Sequence, residues 1–239
     1  IDFYYTELEQ CPDEPSIPEN PEKNEYRCPP DETNERLYFT IKETPTLING
    51  CRFKLQDRQN QGGAIYSRDS QMTITDCTFD TCSSKTGGAI YFNMNIRDNT
   101  IKNCIFQSCT SVYGGAIYAE SSSNSIKIII DFCEFKSNTV PYKDLTTVSL
   151  YFDGGAIYLK NYQLVEIKNS IFENNAADDG TNIAIYSQDI LITSSSKILI
   201  DNCSLVFSNV EHEHAKCKSS VYISGKGNEL LNVELKNSK

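Results

Sequence analysis

The five-residue phrase Gly-Gly-Ala-Ile-Tyr decides the architecture of this chain. It occurs at residues 62–66, 87–91, 114–118 and 154–158, and a degenerate copy follows at residues 182–186. A second phrase, Cys-x-Phe, begins at Cys51, Cys77, Cys104 and Cys133, with later forms at Ser170 and Cys203. The first three cysteines of this series are 26 and 27 residues apart. Two phrases in a fixed order at a nearly constant period predict a repeat architecture.

Each repeat of about 27 residues is too short to bury its own apolar side, so the repeats must stack. No stretch has a helical period, and short β-branched segments between Asn, Asp, Ser and Gly predict strands and turns. The predicted strands are residues 72–75, 100–102, 126–130, 165–168 and 197–200. We therefore predict an all-β solenoid of about seven rungs, a parallel β-helix, rather than a β-sandwich.

The two phrases also predict which residues shape each rung. Paired glycines permit a positive φ or a tight corner where a Cβ would clash. An Asx residue such as Asp76 is expected to kink the chain, so that Ile74, Cys77 and Phe79 all point inward. The predicted corner glycines are Gly62, Gly63, Gly87, Gly88, Gly114, Gly115, Gly154 and Gly155. The predicted core ladder of phenylalanines is Phe53, Phe79, Phe106, Phe135 and Phe172.

The pairing of Phe-x-x-Asn with Gly-Gly-Ala-Ile resembles the repeat of the polymorphic membrane protein family. Residues 135–138 and 172–175 match Phe-x-x-Asn directly, whereas Cys82 and Cys109 stand where that family has Asn. The resemblance covers residues 47–210. It implies a right-handed parallel β-helix in an exported, cell-surface protein that often acts in adhesion. Members of that family end in a large membrane-embedded barrel, and nothing in this sequence resembles one.

The chain divides into an N-terminal arm and the solenoid. Residues 1–36 carry eight of the ten net negative charges, and six of the eight prolines lie between Pro12 and Pro30. Acidic, proline-rich sequence favours an extended arm or cap over residues 1–40. We predict the β-helix over residues 41–239, with an insertion at residues 139–153 and an irregular C-terminal cap from about residue 210. No apolar run reaches 18 residues, so no membrane span is predicted.

Ten cysteines, an even number, predict an oxidising environment and disulfides. Neighbouring rungs are about 4.8 Å apart, which is within the Cα separation of a disulfide. Cys77 could therefore bond Cys104, and Cys82 could bond Cys109; pairing within each rung and reduced core thiols are the alternatives. The disulfide candidates are Cys11, Cys28, Cys51, Cys77, Cys82, Cys104, Cys109, Cys133, Cys203 and Cys217.

Signals for catalysis and for cofactors are weak. His212 and His214 form a His-x-His without a visible third metal ligand, so a polar turn is favoured. Asp178 and Asp179 could serve a sugar-cleaving β-helix enzyme, but Asp-Asp-Gly is first a turn sequence. We expect no metal and no cofactor. The acidic charge argues against a nucleic-acid partner, and Asn202 is the one Asn-x-Ser/Thr acceptor for glycosylation.

Three function classes remain from the sequence. The favoured hypothesis is a non-catalytic, secreted or cell-surface β-helix that serves adhesion or structural assembly. It would bind protein or glycan partners through its loops and its arm, since loops on a rigid scaffold can change partners. The alternatives are a polysaccharide-active lyase or glycosidase and a subunit of an extracellular filament.

Overall fold

The fold consists of three parallel sheets around one core. A computed structural model describes residues 45–54, 61–123, 125–141, 153–177, 180–187, 196–206, 219–225 and 232–238. It also describes the backbone of residues 24–27, 32–33 and 37–40. These residues form 22 strands and no helix, so none of them can form a membrane-spanning helix.

Sheet A has eight strands and lies at the start of each rung. Its strands are β1 (Asn24–Arg27), β4 (Thr46–Asn49), β7 (Met72–Thr75), β10 (Asn99–Lys102), β13 (Lys127–Asp131), β16 (Leu164–Lys168), β19 (Lys197–Asp201) and β22 (Asn232–Lys236). The strands are short because a turn follows each of them, and their β-branched residues suit a pleated, half-buried surface.

Sheets B and C have seven strands each. Sheet B contains β2 (Glu32–Thr33), β5 (Arg52–Lys54), β8 (Thr78–Asp80), β11 (Ile105–Gln107), β14 (Glu134–Lys136), β17 (Ile171–Glu173) and β20 (Ser204–Leu205). Sheet C contains β3 (Leu37–Thr40), β6 (Ile65–Arg68), β9 (Ile90–Asn95), β12 (Ile117–Ser121), β15 (Ile157–Lys160), β18 (Ile183–Ser187) and β21 (Val221–Gly225).

Every strand pairs in parallel with its equivalent one rung away. Phe79, for example, is opposite Phe53 on one side and Phe106 on the other. The chain passes from A to B to C and then begins the next rung, so each of the three sheets grows by one strand per repeat. This topology confirms the predicted parallel β-helix.

Like residues form ladders in the core, as predicted. The five phenylalanine rings of sheet B stack with centroids 4.7–5.0 Å apart and planes within 8° of parallel. Asp76 has a φ of +56°, and Ile74, Cys77 and Phe79 on either side of it are all buried. The left-handed residue therefore offsets the strand alternation that would otherwise turn one of these side chains outward.

The two glycines of each pair have different roles. Gly87, the first of its pair, has a φ of +63°. Gly88 does not have a positive φ, but a Cβ on it would lie 2.1 Å from the carbonyl oxygen of Gly115 in the next rung. The first glycine is thus required by the backbone conformation, and the second by the close approach of two rungs.

The degenerate copy predicted at residues 182–186 is displaced from that position in the structure. Ile157 pairs with Ile183, and Tyr158 pairs with Ala184. Gly180 has a positive φ of +58°, and the first glycines of the other copies have φ between +61° and +70°. The structural equivalent of Gly-Gly-Ala-Ile-Tyr is therefore residues 180–184, two residues before the match at residues 182–186.

Candidate functional surface

Six of the seven described core cysteines are thiols, which corrects the prediction that most are paired. Six described cysteines are free and buried: Cys77, Cys82, Cys104, Cys109, Cys133 and Cys203. Stacked side chains in register keep their Cβ atoms about one rung spacing apart, whereas a disulfide needs about 3.5–4.5 Å. Burial also raises the pKa of Cys104 and of Cys109, which disfavours the reactive thiolate. The candidate pairs between rungs, Cys77–Cys104 and Cys82–Cys109, and the candidate pairs within rungs are therefore absent, and the alternative of reduced core thiols is the one that holds for these cysteines.

The remaining cysteines lie at or beyond the edge of the described structure. Cys51 is disulfide-bonded, and none of the six thiols is its partner. Cys11, Cys28 and Cys217 lie outside the described residues. One disulfide at the N-terminal end of the β-helix is consistent with an oxidising compartment.

The thiols replace amides within one hydrogen-bonding scheme. Asn138 Nδ2 donates to the carbonyl oxygen of Phe106 one rung below at 3.0 Å. At the equivalent position Cys109 Sγ donates to the carbonyl oxygen of Phe79 at 3.7 Å. A thiol is a small apolar group with a weak donor, so it fills the same inward site. This equivalence explains why Cys82 and Cys109 stand where the resembling family has Asn.

The outer face of sheet C carries a row of stacked tyrosines. Tyr66, Tyr91 and Tyr118 are at most 8% exposed although they point away from the main core. Neighbouring rings are 5.0–5.5 Å apart along the row. We call this the tyrosine row; it comprises Tyr66, Tyr91, Tyr118, Tyr158, Tyr186 and Tyr222.

Polar groups line one edge of the tyrosine row. Tyr118 Oη donates to Glu120 at 3.2 Å, and Lys160 Nζ forms an ion pair with the same carboxylate at 2.9 Å. Tyr186 Oη donates to Asp153 Oδ2 at 2.5 Å. Burial first, and then the nearby carboxylates, raise the pKa of Tyr118 and of Tyr186. The carboxylates in these contacts accept hydrogen bonds from the phenols and hold the rings in place. We therefore interpret the tyrosine row as a packing surface.

The corner between sheets A and B carries a row of left-handed residues. It begins with Gly50, whose φ is +71°. Its other members are Asp76, Asn103, Phe132, Asn169, Asn202 and Asn237, with φ between +48° and +56°. Asn and Asp tolerate this conformation because their short polar side chains bond locally. Asn103 Nδ2 donates to Asp76 at 3.3 Å, and Asn202 Nδ2 donates to Asn169 at 2.8 Å. We call this the corner row.

Phe132 interrupts the corner row. Its phenyl ring cannot accept a hydrogen bond, and Asn169 Nδ2 donates to Asp131 at 2.9 Å, as Asn237 Nδ2 donates to Asp201 at 3.0 Å. The ring is 59% exposed, although a bulky residue in the left-handed region is strained. Phe132 therefore has an unfavourable backbone conformation, its side chain forms no hydrogen bond along the corner row, and most of its surface is exposed to solvent.

Exposed apolar residues of sheet B lie on the rungs on either side of Phe132. Ile105 and Ile171 point outward from the neighbouring strands and are 36% and 40% exposed. Between them lies Glu134, which forms an ion pair with Lys136 at 2.6 Å. We call Phe132, Ile105 and Ile171 the Phe132 patch. Glu134 separates the two isoleucines, so the patch consists of one aromatic and two aliphatic residues around a charged residue.

The sequence contained the signal for this patch, but the repeat analysis missed it. The Asx position precedes the core cysteine in Asp76-Cys77, Asn103-Cys104 and Asn202-Cys203. Residues 132–133 are Phe-Cys instead. Gly50 precedes Cys51 and Asn169 precedes Ser170, so comparison of the repeats at this position identifies Phe132 as its one bulky apolar residue.

The other predicted sites lie mostly outside the described residues. These are the arm at residues 1–36, most of the insertion at residues 139–153, the pair Asp178 and Asp179, and the histidines His212 and His214. Within the part of the chain that the structure describes, no three His, Cys, Asp or Glu side chains are grouped to hold a metal ion. Asn202 lies at an exposed corner, where its amide already donates to Asn169.

Comparison with known proteins supports the fold. The family described as the right handed beta helix region matches residues 37–154. With the three parallel sheets, this match shows that the fold is a right-handed parallel β-helix. No curated protein and no solved structure matches the chain.

Proposed function

We propose that this right-handed β-helix is a non-catalytic adhesive module of an extracellular or cell-surface protein, and that it binds a protein or glycan partner through the Phe132 patch. The observation that carries the proposal is the exposed, left-handed phenylalanine in a row whose other members are Gly50, Asp76 and four asparagines. A strained residue persists where the surroundings hold it, and such residues cluster at functional sites.

The patch has the composition of a binding hot spot. Aromatic residues surrounded by polar groups contribute most of the energy of many interfaces. The apolar face of a sugar ring could stack on the same phenyl ring. The regular ladders keep Phe132, Ile105 and Ile171 at fixed positions, so little conformational entropy is lost when a partner binds.

Two further observations support the location. The Phe-x-x-Asn and Gly-Gly-Ala-Ile phrases resemble repeats of the polymorphic membrane protein family, whose members act at cell surfaces. The disulfide at Cys51 is consistent with an oxidising compartment. The arm and the insertion remain predicted additional contacts.

The test compares two substitutions of the same kind. Met94 also has a positive φ, of 46°, and is 48% exposed, but it belongs to sheet C. Labelled chain is titrated onto cultured cells and onto panels of immobilised glycans and extracellular-matrix proteins. We expect saturable binding that Phe132→Asn weakens by about tenfold or more, since truncation of a hot-spot residue often has that effect. Met94→Asn should bind like the unmodified chain.

Three outcomes would contradict the proposal. They are no saturable binding to any surface, equal binding by both variants, and turnover of a bound glycan. Turnover would favour a polysaccharide-active enzyme instead.

A further inference from the structure

One exposed lysine beside the Phe132 patch lacks the carboxylate that accompanies its equivalents on other rungs. The outer face of sheet A carries a ladder in which lysine and aspartate alternate from rung to rung. Its members are Lys102, Asp131, Lys168, Asp201 and Lys236. Lys168 and Lys236 each have a glutamate two residues earlier in their own strand, whereas Lys102 has Thr100 at that position.

The glutamates neutralise the two equivalent lysines, and Lys102 has no such partner. Lys168 Nζ is 2.6 Å from Glu166, and Lys236 Nζ is 2.7 Å from Glu234. The side chain of Lys102 is exposed and forms no ion pair or hydrogen bond among the residues that the structure describes. The charge of Lys102 is therefore available to a binding partner.

The two aspartates on the rungs next to Lys102 already accept hydrogen bonds from asparagines. Asp131 is opposite Lys102 on the following rung and accepts from Asn169 Nδ2 at 2.9 Å. Asp76 lies at the corner of the preceding rung and accepts from Asn103 Nδ2 at 3.3 Å. Each carboxylate thus has a donor within the β-helix, and neither forms an ion pair with Lys102.

Lys102 adjoins the Phe132 patch. It is opposite Asp131, the residue before Phe132, and it precedes Ile105 by three residues on its own rung. Adjacent rungs are about 4.8 Å apart, so the free ammonium and the exposed ring are neighbours at one corner. A partner that covers the ring would also remove water from Lys102. Because an ammonium without a counter-charge is costly to desolvate, the partner is expected to supply an anion.

The polar groups that a sugar would need at the patch already have partners. Glu134 forms an ion pair with Lys136, and the amides of Asn103 and Asn169 donate to aspartates. Sugar hydroxyls packed against the two isoleucines of the patch would lose hydrogen bonds to water without replacing them. Apolar side chains have no such cost, and their burial against the patch is favourable. The composition of the patch therefore favours a protein segment over a sugar.

We propose that the partner of the Phe132 patch is an acidic, apolar segment of an extracellular protein, in which a carboxylate pairs with Lys102 and an apolar side chain packs on Phe132. This inference rests on the proposed function, because it names the partner class of the same site. Thr100 is then a specificity-determining position, since a glutamate there would neutralise Lys102 within the chain, as Glu166 neutralises Lys168.

Two synthetic peptides test the charge requirement by fluorescence anisotropy. One alternates leucine with aspartate, and the other has asparagine in place of each aspartate. We expect the aspartate peptide to bind and the asparagine peptide to bind about fivefold more weakly or less. Lys102→Gln should lose about fivefold in affinity for the aspartate peptide alone, the size of one exposed ion pair. Thr100→Glu should lose at least as much.

Lys197→Gln is the matched control. Lys197 is also an exposed lysine of sheet A, three rungs from Lys102, so the variant removes the same charge away from the patch. It should bind the aspartate peptide like the unmodified chain. The aspartate peptide should also displace the unmodified chain from cultured cells, and circular dichroism checks that every variant is folded.

The outcomes separate this inference from the proposed function. Equal binding of the two peptides, no binding of either, or unchanged binding by Lys102→Gln would overturn the acidic partner. The proposed function would still stand if Phe132→Asn weakened attachment to cells, and it would fail with the inference if Phe132→Asn attached normally. Oligogalacturonate, an acidic glycan, is the third probe. Its binding in place of the aspartate peptide, with the same dependence on Lys102, would overturn the choice of a protein partner.

Discussion

The tyrosine row of sheet C and the corner row between sheets A and B are both repeated ladders on the outside of the β-helix, yet they differ in what interrupts them. In the tyrosine row, like rings stack from rung to rung, and Tyr66, Tyr91 and Tyr118 are nearly inaccessible. In the corner row, a chain of amides and carboxylates is broken by Phe132.

The difference teaches how to separate packing from function in a repeat protein. A residue that recurs at every rung has its neighbours as partners, and its identity is explained by the stack itself. A residue that departs from its row and remains exposed gains nothing from its neighbours. On that criterion the tyrosines stabilise the fold, and Phe132 is the place to look for a partner.

The largest expected loss of stability follows from substitution of Gly88, where two adjacent rungs approach closely. In Gly88→Ala, the new Cβ would overlap the carbonyl oxygen of Gly115, a backbone atom that cannot move without displacing a strand. We expect a loss of more than about 3 kcal/mol in the free energy of unfolding, or no soluble protein.

Gly50→Ala is the control for Gly88→Ala. Gly50 has a φ of +71° and nothing within 4 Å of its ideal Cβ position, so this variant should lose only about 1 kcal/mol. Urea denaturation of both variants gives the comparison. Equal losses would mean that the close approach of rungs at Gly88 does not matter.

As the pH rises, we expect the tyrosine row to lose its contribution to stability before the corner row does. Burial is the first cause that raises the pKa of Tyr91, Tyr118 and Tyr158, so the folded protein keeps these phenols neutral. The unfolded chain ionises its tyrosines near pH 10, so their contribution to stability is complete below that pH and falls above it. At pH 11 each such tyrosine should cost the folded state about 1.4 kcal/mol.

Absorbance of tyrosinate at 295 nm, followed with circular dichroism, tests this prediction. The chain has 14 tyrosines, and six of them form the row, so the ionisation of the row is the part of the absorbance change that should appear together with unfolding. Tyr118→Phe should weaken the pH dependence of unfolding. A smooth titration of all 14 tyrosines near pH 10 with an unchanged β spectrum would show that the row is open to water.

The fold was predictable from the sequence because equivalent positions of the repeats indicate which residues are opposite each other on adjacent rungs. Residues 72–75 were predicted as a strand and form β7, and the kinks expected at Asp76 and Asn103 are residues with a positive φ. The phrases place like residues on adjacent rungs, and parallel pairing then follows from the chain topology. The copy at residues 182–186 shows where sequence matching fails. These residues are similar to Gly-Gly-Ala-Ile-Tyr, but the strand pairing places the structural equivalent two residues earlier, beginning at Gly180.

The cysteines and the functional surface were harder to predict for physical reasons. The spacing of Cys77 and Cys104 allows a disulfide by Cα separation, but it does not reveal that stacked Cβ vectors stay parallel. Phe132 could be found only by asking which position departs from its row.

The smallest expected effect has the opposite sign and sharpens the comparison most. Phe132→Asn replaces a strained ring with a residue that accepts the left-handed backbone and can rejoin the amide ladder. The ring loses little on removal because most of it is already exposed. We expect the variant to gain about 0.5–1 kcal/mol in the free energy of unfolding, measured by urea denaturation.

Asn103→Ala, in the same row, is the matched control. It loses the tolerance of Asn for positive φ and the bond to Asp76, so it should lose about 1 kcal/mol. A loss of more than about 1 kcal/mol in Phe132→Asn would instead assign Phe132 to packing, since truncation of packed residues destabilises. A gain in stability accompanied by a loss of adhesion would mean that the corner row gives up stability at this rung for contact with a partner, the trade-off expected of a functional site.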